Sequence, residues 1–287
     1  MKATKMESKV WPKIKGGIAV FLKYLSLILA SAIIILPILV IFLGSFKDKI
    51  EFNTSGPFDV PKAFDFTNYV TAFVKGKMLL GLGNTVILIG CTAIGTILIG
   101  TMTAYVLDRF QFRANKLIRT LFLWVTLIPA VTTQVATFKI VHALGLYNTR
   151  FAGIILSVGT DVVSLYIFLQ FLESIPKSLD ESAIIDGAGY FRVYFKIILP
   201  LLMPAITTVL IIKCIGVYND FYMPFLYMPK QSLQVISTAL FKFKGPYGTQ
   251  WEIVCAGVMI AVIPTLAAFI ALQKQIYNGL VQGAVKQ

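Results

Sequence analysis

Six long apolar runs, parted by shorter polar stretches, set the pattern of this chain. They cover about residues 24–45, 82–107, 117–138, 151–172, 199–222 and 251–273. A helix needs about 20 mainly apolar residues to cross roughly 30 Å of hydrocarbon. Each run meets that length, so the pattern predicts an all-α membrane protein with six transmembrane helices. An even count puts both termini on the same side. The first run is longer than the 7–15-residue core of a cleaved signal sequence, and no small-x-small site ends it, so it is read as a retained span. Pro37, Pro129, Pro204 and Pro264 fall inside spans, where each removes a backbone hydrogen bond and favours a kink.

The longest polar interruption between two spans with a helical pattern of its own runs from Ser178 to Ile198. Ser178 followed three residues later by Glu181 has the spacing of a capping box. Ala183, Ile184 and Ala188 give this segment an apolar side. Gly187 and Gly189 permit a sharp reversal, because glycine takes positive φ without a Cβ penalty. An amphipathic segment follows from Tyr190 to Ile198, and Leu199-Pro200 opens the next apolar run. The expected structure is a short, rigid helix pair at a membrane face, joined directly to the fourth and fifth spans.

Composition agrees with a bilayer setting. Of 287 residues, 57% are hydrophobic and only 14% charged, against about 25% charged in soluble domains. The net charge of +13 is read as basic loops and tails and not as a nucleic-acid surface. With a cytoplasmic N-terminus, the inner segments 1–23, 108–119, 173–198 and 274–287 hold 15 Lys and Arg, against 10 in outer segments of almost equal total length. The positive-inside rule therefore favours cytoplasmic ends and puts the Ser178–Ile198 pair in the cytoplasm. Two outer stretches have room for structure. Residues 46–81 look interfacial and partly helical, and 223–250 read as a structured loop rich in Pro and Gly. Cys91, Cys214 and Cys255 all fall within apolar runs, so no disulfide framework is implied.

The chain has no GxxxxGK[ST] phosphate loop, no metal-ligand spacing and one histidine, His142. It reads as non-enzymatic, with no cofactor or metal of its own. Charges in the spans are the remaining chemical signal, since a charge at mid-bilayer costs about 2.5–3.5 kcal/mol and so faces protein or water. Asp161 and Lys213 lie near the middles of the fourth and fifth spans, and Asp220 lies at the outer end of the fifth. They either line a polar pathway or neutralise one another. An ion-driven transporter would need its own coupling site at a broken helix, for which Asp161 is the one candidate.

The run Glu181-Ser182-Ala183-Ile184-Ile185-Asp186-Gly187-Ala188, with Phe195, Ile198-Leu199-Pro200-Leu201 and Pro204, resembles the EAA motif of ABC importer permeases. Asn84-Thr85-Val86, Ala104-Tyr105, Arg109-Phe110-Gln111-Phe112-Arg113, Leu144 to Thr149, Tyr218-Asn219-Asp220-Phe221 and the tail extend the likeness over nearly the whole chain. Together they are similar to the MalG-type subunit of binding-protein-dependent carbohydrate importers. Ser182 stands where alanine is usual, and Tyr218 and Asp220 where tryptophan and glutamate are common.

The resemblance implies a single permease domain over 1–287 in a prokaryotic cell membrane. Ser178–Ile198 would be a coupling-helix pair inserted into a cleft of an ATPase subunit, with Ser178, Glu181, Ser182, Ala183, Asp186, Gly187, Ala188 and Pro200 carrying the contact. The tail, through Gln273, Gly279, Gly283, Ala284 and Lys286, would lie near that interface. Asp161, Lys213, Tyr218, Asn219 and Asp220 become candidates for the translocation path. The implied partners are a second homologous permease, two ATPase subunits carrying ATP and Mg, an extracytoplasmic solute-binding protein and membrane lipid, with no nucleic acid. The cargo is a sugar, an oligosaccharide or a polyol phosphate.

Overall fold

The computed structural model describes the backbone of residues 4–159, 161–245 and 248–284, and the side chains of 20–129, 131–159, 161–245 and 248–273. In chain order its helices begin with α1 (Thr4–Gly44), α2 (Lys49–Thr54), α3 (Thr67–Lys75) and α4 (Met78–Gly95). A π-helical turn, Thr96–Gly100, leads into α5 (Thr101–Arg109), followed by α6 (Asn115–Val125), α7 (Ala130–Ala143), α8 (Arg150–Val158) and α9 (Val162–Glu173). Next come α10 (Ser178–Ile185) and α11 (Tyr190–Val193), a second π turn (Tyr194–Ile198), then α12 (Leu199–Leu201), α13 (Met203–Asn219) and α14 (Tyr222–Tyr227). The chain continues through α15 (Ile236–Ala239) and a two-stranded antiparallel hairpin, β1 (Lys244–Gly245) with β2 (Gly248–Thr249), to α16 (Trp251–Ala284).

Three of the expected spans are unbroken apolar helices: Val20–Gly44 within α1, Met78–Arg109, and Trp251–Gln273 within α16. The other three are interrupted. The 199–222 run bends by 72° between α12 and α13, where Pro200 and Pro204 each withhold a helical N–H. The 151–172 run is parted into α8 and α9. The 117–138 run is also two pieces, because α6 stops at Val125 and α7 starts only after Pro129. Neither piece alone is long enough to cross a bilayer. The described residues thus hold three helices long and apolar enough to cross a membrane, or up to five if each bent pair counts as one span.

The chain forms two compact units, residues 1–75 with 243–260, and 76–242 with 261–287. In the first, Phe46 gathers Phe42, Phe64, Phe66 and Tyr69 around it at ring-centroid distances of 5.1–5.3 Å. Lys47 is buried there, yet its ammonium donates to Ser55 Oγ and Gly56 O, both at 2.8 Å, as a buried cation requires. Asp65 accepts from the Thr67 hydroxyl and N–H at the start of α3, which holds its carboxyl below the ordinary carboxylate range. The outward side chains of α1 from Val20 to Leu39 are apolar and largely exposed. A helix face of that kind belongs in lipid or against a partner.

In the second unit α4 packs on α8 and α13, and α5 packs along α9. Gly95 makes the α4–α8 approach possible: a Cβ there would lie 2.3 Å from Val158 Cγ1. One core joins Leu165, Phe168 and Leu172 of α9 with Tyr194, Ile198 and Val209. A second, around Leu88, Ala152, Tyr227 and Met228, fastens the segment after α14. That segment is also tied by polar bonds. Asn84 Nδ2 donates to Ser232 O and Gln234 O at 2.9 and 2.8 Å, and Ile236 N donates to Thr85 Oγ1 at 2.9 Å.

Candidate coupling site

α10 and α11 form the expected helix, turn and helix between α9 and α12. Gly187 sits at φ +83°, and Gly187 N and Ala188 N donate to Ile184 O and Ala183 O, both at 2.9 Å. These bonds close the last carbonyls of α10 in the left-handed C-terminal arrangement that glycine permits. The start differs from the expected capping box. Lys177, in helical conformation, precedes the first turn, and no side chain caps it. Lys177 O accepts from Asp180 N at 3.0 Å and Glu181 N at 3.1 Å, so the turn closes through backbone and Ser178 stays exposed.

Of the motif residues, Ala183 is buried and Ala188 half-buried against the core. Glu181, Ser182, Asp186, Gly187 and Pro200 are exposed, as are Ile184, Ile185 and Phe191. Ile185, at 84% exposure, has the most open apolar side chain on the pair. The pair therefore presents one face inward and leaves a mixed apolar and acidic face free for a partner.

A buried polar cluster that sequence reasoning missed holds the pair to the spans. Asp180, on the inward face of α10, accepts from Tyr105 Oη at 3.0 Å and lies 3.0 Å from Arg109 Nε. The guanidinium contact is a close ion pair whose N–H is not aligned for a directed hydrogen bond. Arg109 also meets Asp108 Oδ2 at 2.7 Å and donates to Ile175 O at 2.9 Å. These side chains are 6–9% exposed. One cation thus holds two carboxylates and a carbonyl of the α9–α10 turn. The signal was present in the sequence: Asp180 lies three residues before Ala183 on the apolar side of a short helix, where an acid needs a cation. Above the cluster, Tyr105 packs on Tyr194 (5.5 Å) and Phe110 (5.9 Å), and Tyr194 Oη is 2.6 Å from Thr101 Oγ1.

The path candidates separate into distinct roles. Lys213 Nζ and Asp161 Oδ2 pair at 2.5 Å, and Asp161 also caps α9 by accepting from Ser164 N at 2.8 Å. Asp220 Oδ1 accepts from Met223 N in the first turn of α14 at 3.1 Å, and the Tyr218 hydroxyl donates to Ala261 O at 2.6 Å. Asn219 is exposed and bonds back to Ile215 O at 3.1 Å. An exposed pair not foreseen, Tyr222 Oη to Gln134 Oε1 at 2.8 Å, bridges α14 and α7. Of the tail residues, Gln273 is exposed on α16. Gly279, Gly283 and Ala284 continue that helix, with side chains outside those described, and Lys286 lies outside the described residues. No group of three or more potential metal ligands occurs among the described residues.

Long apolar helices, some continuous and some bent, with a short helix pair held to them by a buried ion-pair cluster, define a membrane-embedded helical protein. Residues 96–283 match the family described as binding-protein-dependent transport system inner membrane component, and the chain belongs to that family. It is 31% identical over 253 residues to the melibiose/raffinose/stachyose import permease protein MelC of Bacillus subtilis (strain 168), covering 88% of this chain and 91% of that one. It is 32% identical over 271 residues to AmyC of Thermoanaerobacterium thermosulfurigenes, described as a probable permease protein for transport of starch degradation products, covering 93% and 96%. The fold is shared with a chain of a bacterial ABC transporter involved in import of the acidic polysaccharide alginate. That likeness has a TM-score of 0.79 at 19% identity over 91% of this chain and 97% of the other.

Proposed function

We propose that this chain is the membrane-spanning permease subunit of an ATP-driven importer for a sugar or oligosaccharide handed over by an extracytoplasmic binding protein. The observation that carries this reading is the family match over residues 96–283 together with near-full-length relatives described as sugar permeases. A transporter of alginate in complex with its oligosaccharide-loaded periplasmic protein, at a TM-score of 0.64 and 20% identity, supports the same architecture.

In this reading residues 1–287 act as one permease domain in a prokaryotic cell membrane. α1, α4–α5, α6–α7, α8–α9, α12–α13 and α16 make six crossings, with both termini cytoplasmic. A homologous permease pairs with it, and two ATPase subunits supply the ATP and Mg chemistry that this chain lacks. α10–α11 is the coupling pair. Its free face, from Glu181 to Phe191, meets the ATPase, with Gln273 to Lys286 nearby. Closure of the ATPase pair then pushes on a stiff element, and Arg109 and Asp180 carry the push into α5 and α9. Lys213–Asp161 and Tyr222–Gln134 border the route taken by the cargo.

The test is uptake by vesicles holding the full complex, with binding protein loaded from a panel of sugars, oligosaccharides and polyol phosphates. Uptake requires ATP, and Glu181→Lys or Gly187→Pro abolishes it while the chain stays in the membrane. Uptake that continues without ATP and collapses with an ionophore would refute the reading in favour of ion-driven transport.

A further inference from the structure

The turn between α5 and α6 forms an open surface pocket of about 320 Å³ lined by Asp108, Gln111, Arg113, Asn115, Lys116 and Arg119, with Leu107, Phe110 and Phe112 as apolar walls. Its one carboxylate is already taken, because Asp108 Oδ2 is 2.7 Å from Arg109. Arg119 is held in place by donating to Leu107 O at 2.6 Å and Asn115 Oδ1 at 3.2 Å. Its nearest acid, Glu173, is 3.9 Å away and 61% exposed, so it neutralises little of the charge. Arg113 and Lys116 are exposed and have no carboxylate within ion-pair distance among the described residues. Three cations therefore line one pocket, and of these only Arg119 has a free carboxylate nearby, the exposed Glu173.

The pocket lies where two apolar elements meet. The continuous span ends at Arg109, and α6 runs away from the pocket with Leu117, Leu121 and Trp124 exposed at 59%, 46% and 64%. These three sit at i, i+4 and i+7, so they form one stripe along the helix. A cationic head site continuing into an apolar stripe matches an amphiphile carrying a negative phosphate above acyl chains.

We propose that this pocket binds the headgroup phosphate of an anionic phospholipid, with Arg113, Lys116 and Arg119 on the phosphate and the acyl chains along Leu117, Leu121 and Trp124. The site adjoins the cluster in which Arg109 faces Asp180, sharing Asp108 with it, but its cations are different ones. It ties the α5–α6 turn to the leaflet and fixes the height of the span that carries Arg109.

Native mass spectrometry of the assembled transporter, released from bilayers of phosphatidylcholine mixed with phosphatidylglycerol, tests this. The wild-type complex retains phosphatidylglycerol in preference to phosphatidylcholine. R113Q/K116Q weakens that retention about thirtyfold, from the roughly fivefold contribution of each basic side chain near an anionic surface, and R113K/K116R restores it. Inorganic phosphate alone, at the same phosphate concentration, displaces little of the lipid. The proposal fails if the two lipids are retained equally, or if R113Q/K116Q leaves retention unchanged. It also fails if inorganic phosphate replaces the lipid outright, which would make the pocket a free-phosphate site. Loss of complex assembly in R113Q/K116Q with lipid retention intact would overturn it in favour of a protein partner.

Discussion

Replacing Arg109 with leucine removes the single cation that faces two buried carboxylates, Asp108 and Asp180, at 2.7 and 3.0 Å. It also frees Ile175 O, which accepts from the same guanidinium at 2.9 Å. Breaking a buried pair by deleting one partner costs about 3–5 kcal/mol, because the remaining charge stays desolvated. Here two charges remain, so the upper end applies. Asp180→Asn is the instructive contrast. It leaves the Asp108–Arg109 pair intact, and the amide can turn its oxygen to Arg109 and its NH2 to the Tyr105 hydroxyl. Its cost is about 1–2 kcal/mol, the difference between a charged and a neutral hydrogen bond.

Hydrogen exchange of the assembled complex in liposomes reads this directly, following the amides of residues 175–193. At about 1.4 kcal/mol per factor of ten, Arg109→Leu raises local opening by about three to three and a half orders of magnitude, and Asp180→Asn by about tenfold. Sugar uptake per ATP hydrolysed falls in the same order, and Arg109→Lys lies between because it keeps the charge but not the fork of donors. Equal effects from Arg109→Leu and Asp180→Asn, or the reverse order, would refute the claim that one arginine holds the joint.

Gly187→Val should cost about 1–2 kcal/mol and lower coupling, since φ is +83° there. A Cβ would meet nothing within 4 Å, so the cost is conformational and Gly187→Asn should be milder in a thermal-melt comparison. Gly95→Ala should lower the melting temperature through the 2.3 Å clash with Val158, and Val158→Ala in the same chain should recover most of the loss. Asp161→Asn keeps the cap on α9 and removes only the charge facing Lys213. Reduced uptake in both Asp161→Asn and Lys213→Met, with the complex assembled, would support a role along the route, and wild-type uptake in both would remove the pair from it.

The apolar runs made the helices legible, because burial in lipid demands length and little else. They did not reveal where a run breaks. The gap between Val125 and Ala130 depends on how Pro129 and its neighbours share backbone bonds, which an average over 20 residues conceals. The glycine at the turn between α10 and α11 was readable because positive φ selects so few residues. The absent capping box was not, since Lys177 O already satisfies the first amides of α10. Asp180 escaped notice because its partner lies 71 positions upstream on α5, and only packing brings them together. Asp220, a pathway candidate in the sequence, has a local contact that spacing did not announce: it accepts from Met223 N in the first turn of α14.

The two π turns, Thr96–Gly100 and Tyr194–Ile198, bear on how this chain tolerates insertions. A π turn accommodates an extra residue within a helix, and each residue advances an α-helix by about 100°. Thr101, Tyr105 and Arg109 all follow the first turn, and Tyr194 opens the second. Regularising Thr96–Gly100 to α-helix with all five residues kept would rotate all three side chains by about 100°, away from Tyr194 and Asp180 together. The irregular turns thus act as phase spacers, and their π geometry is as constrained as the identity of the residues they aim.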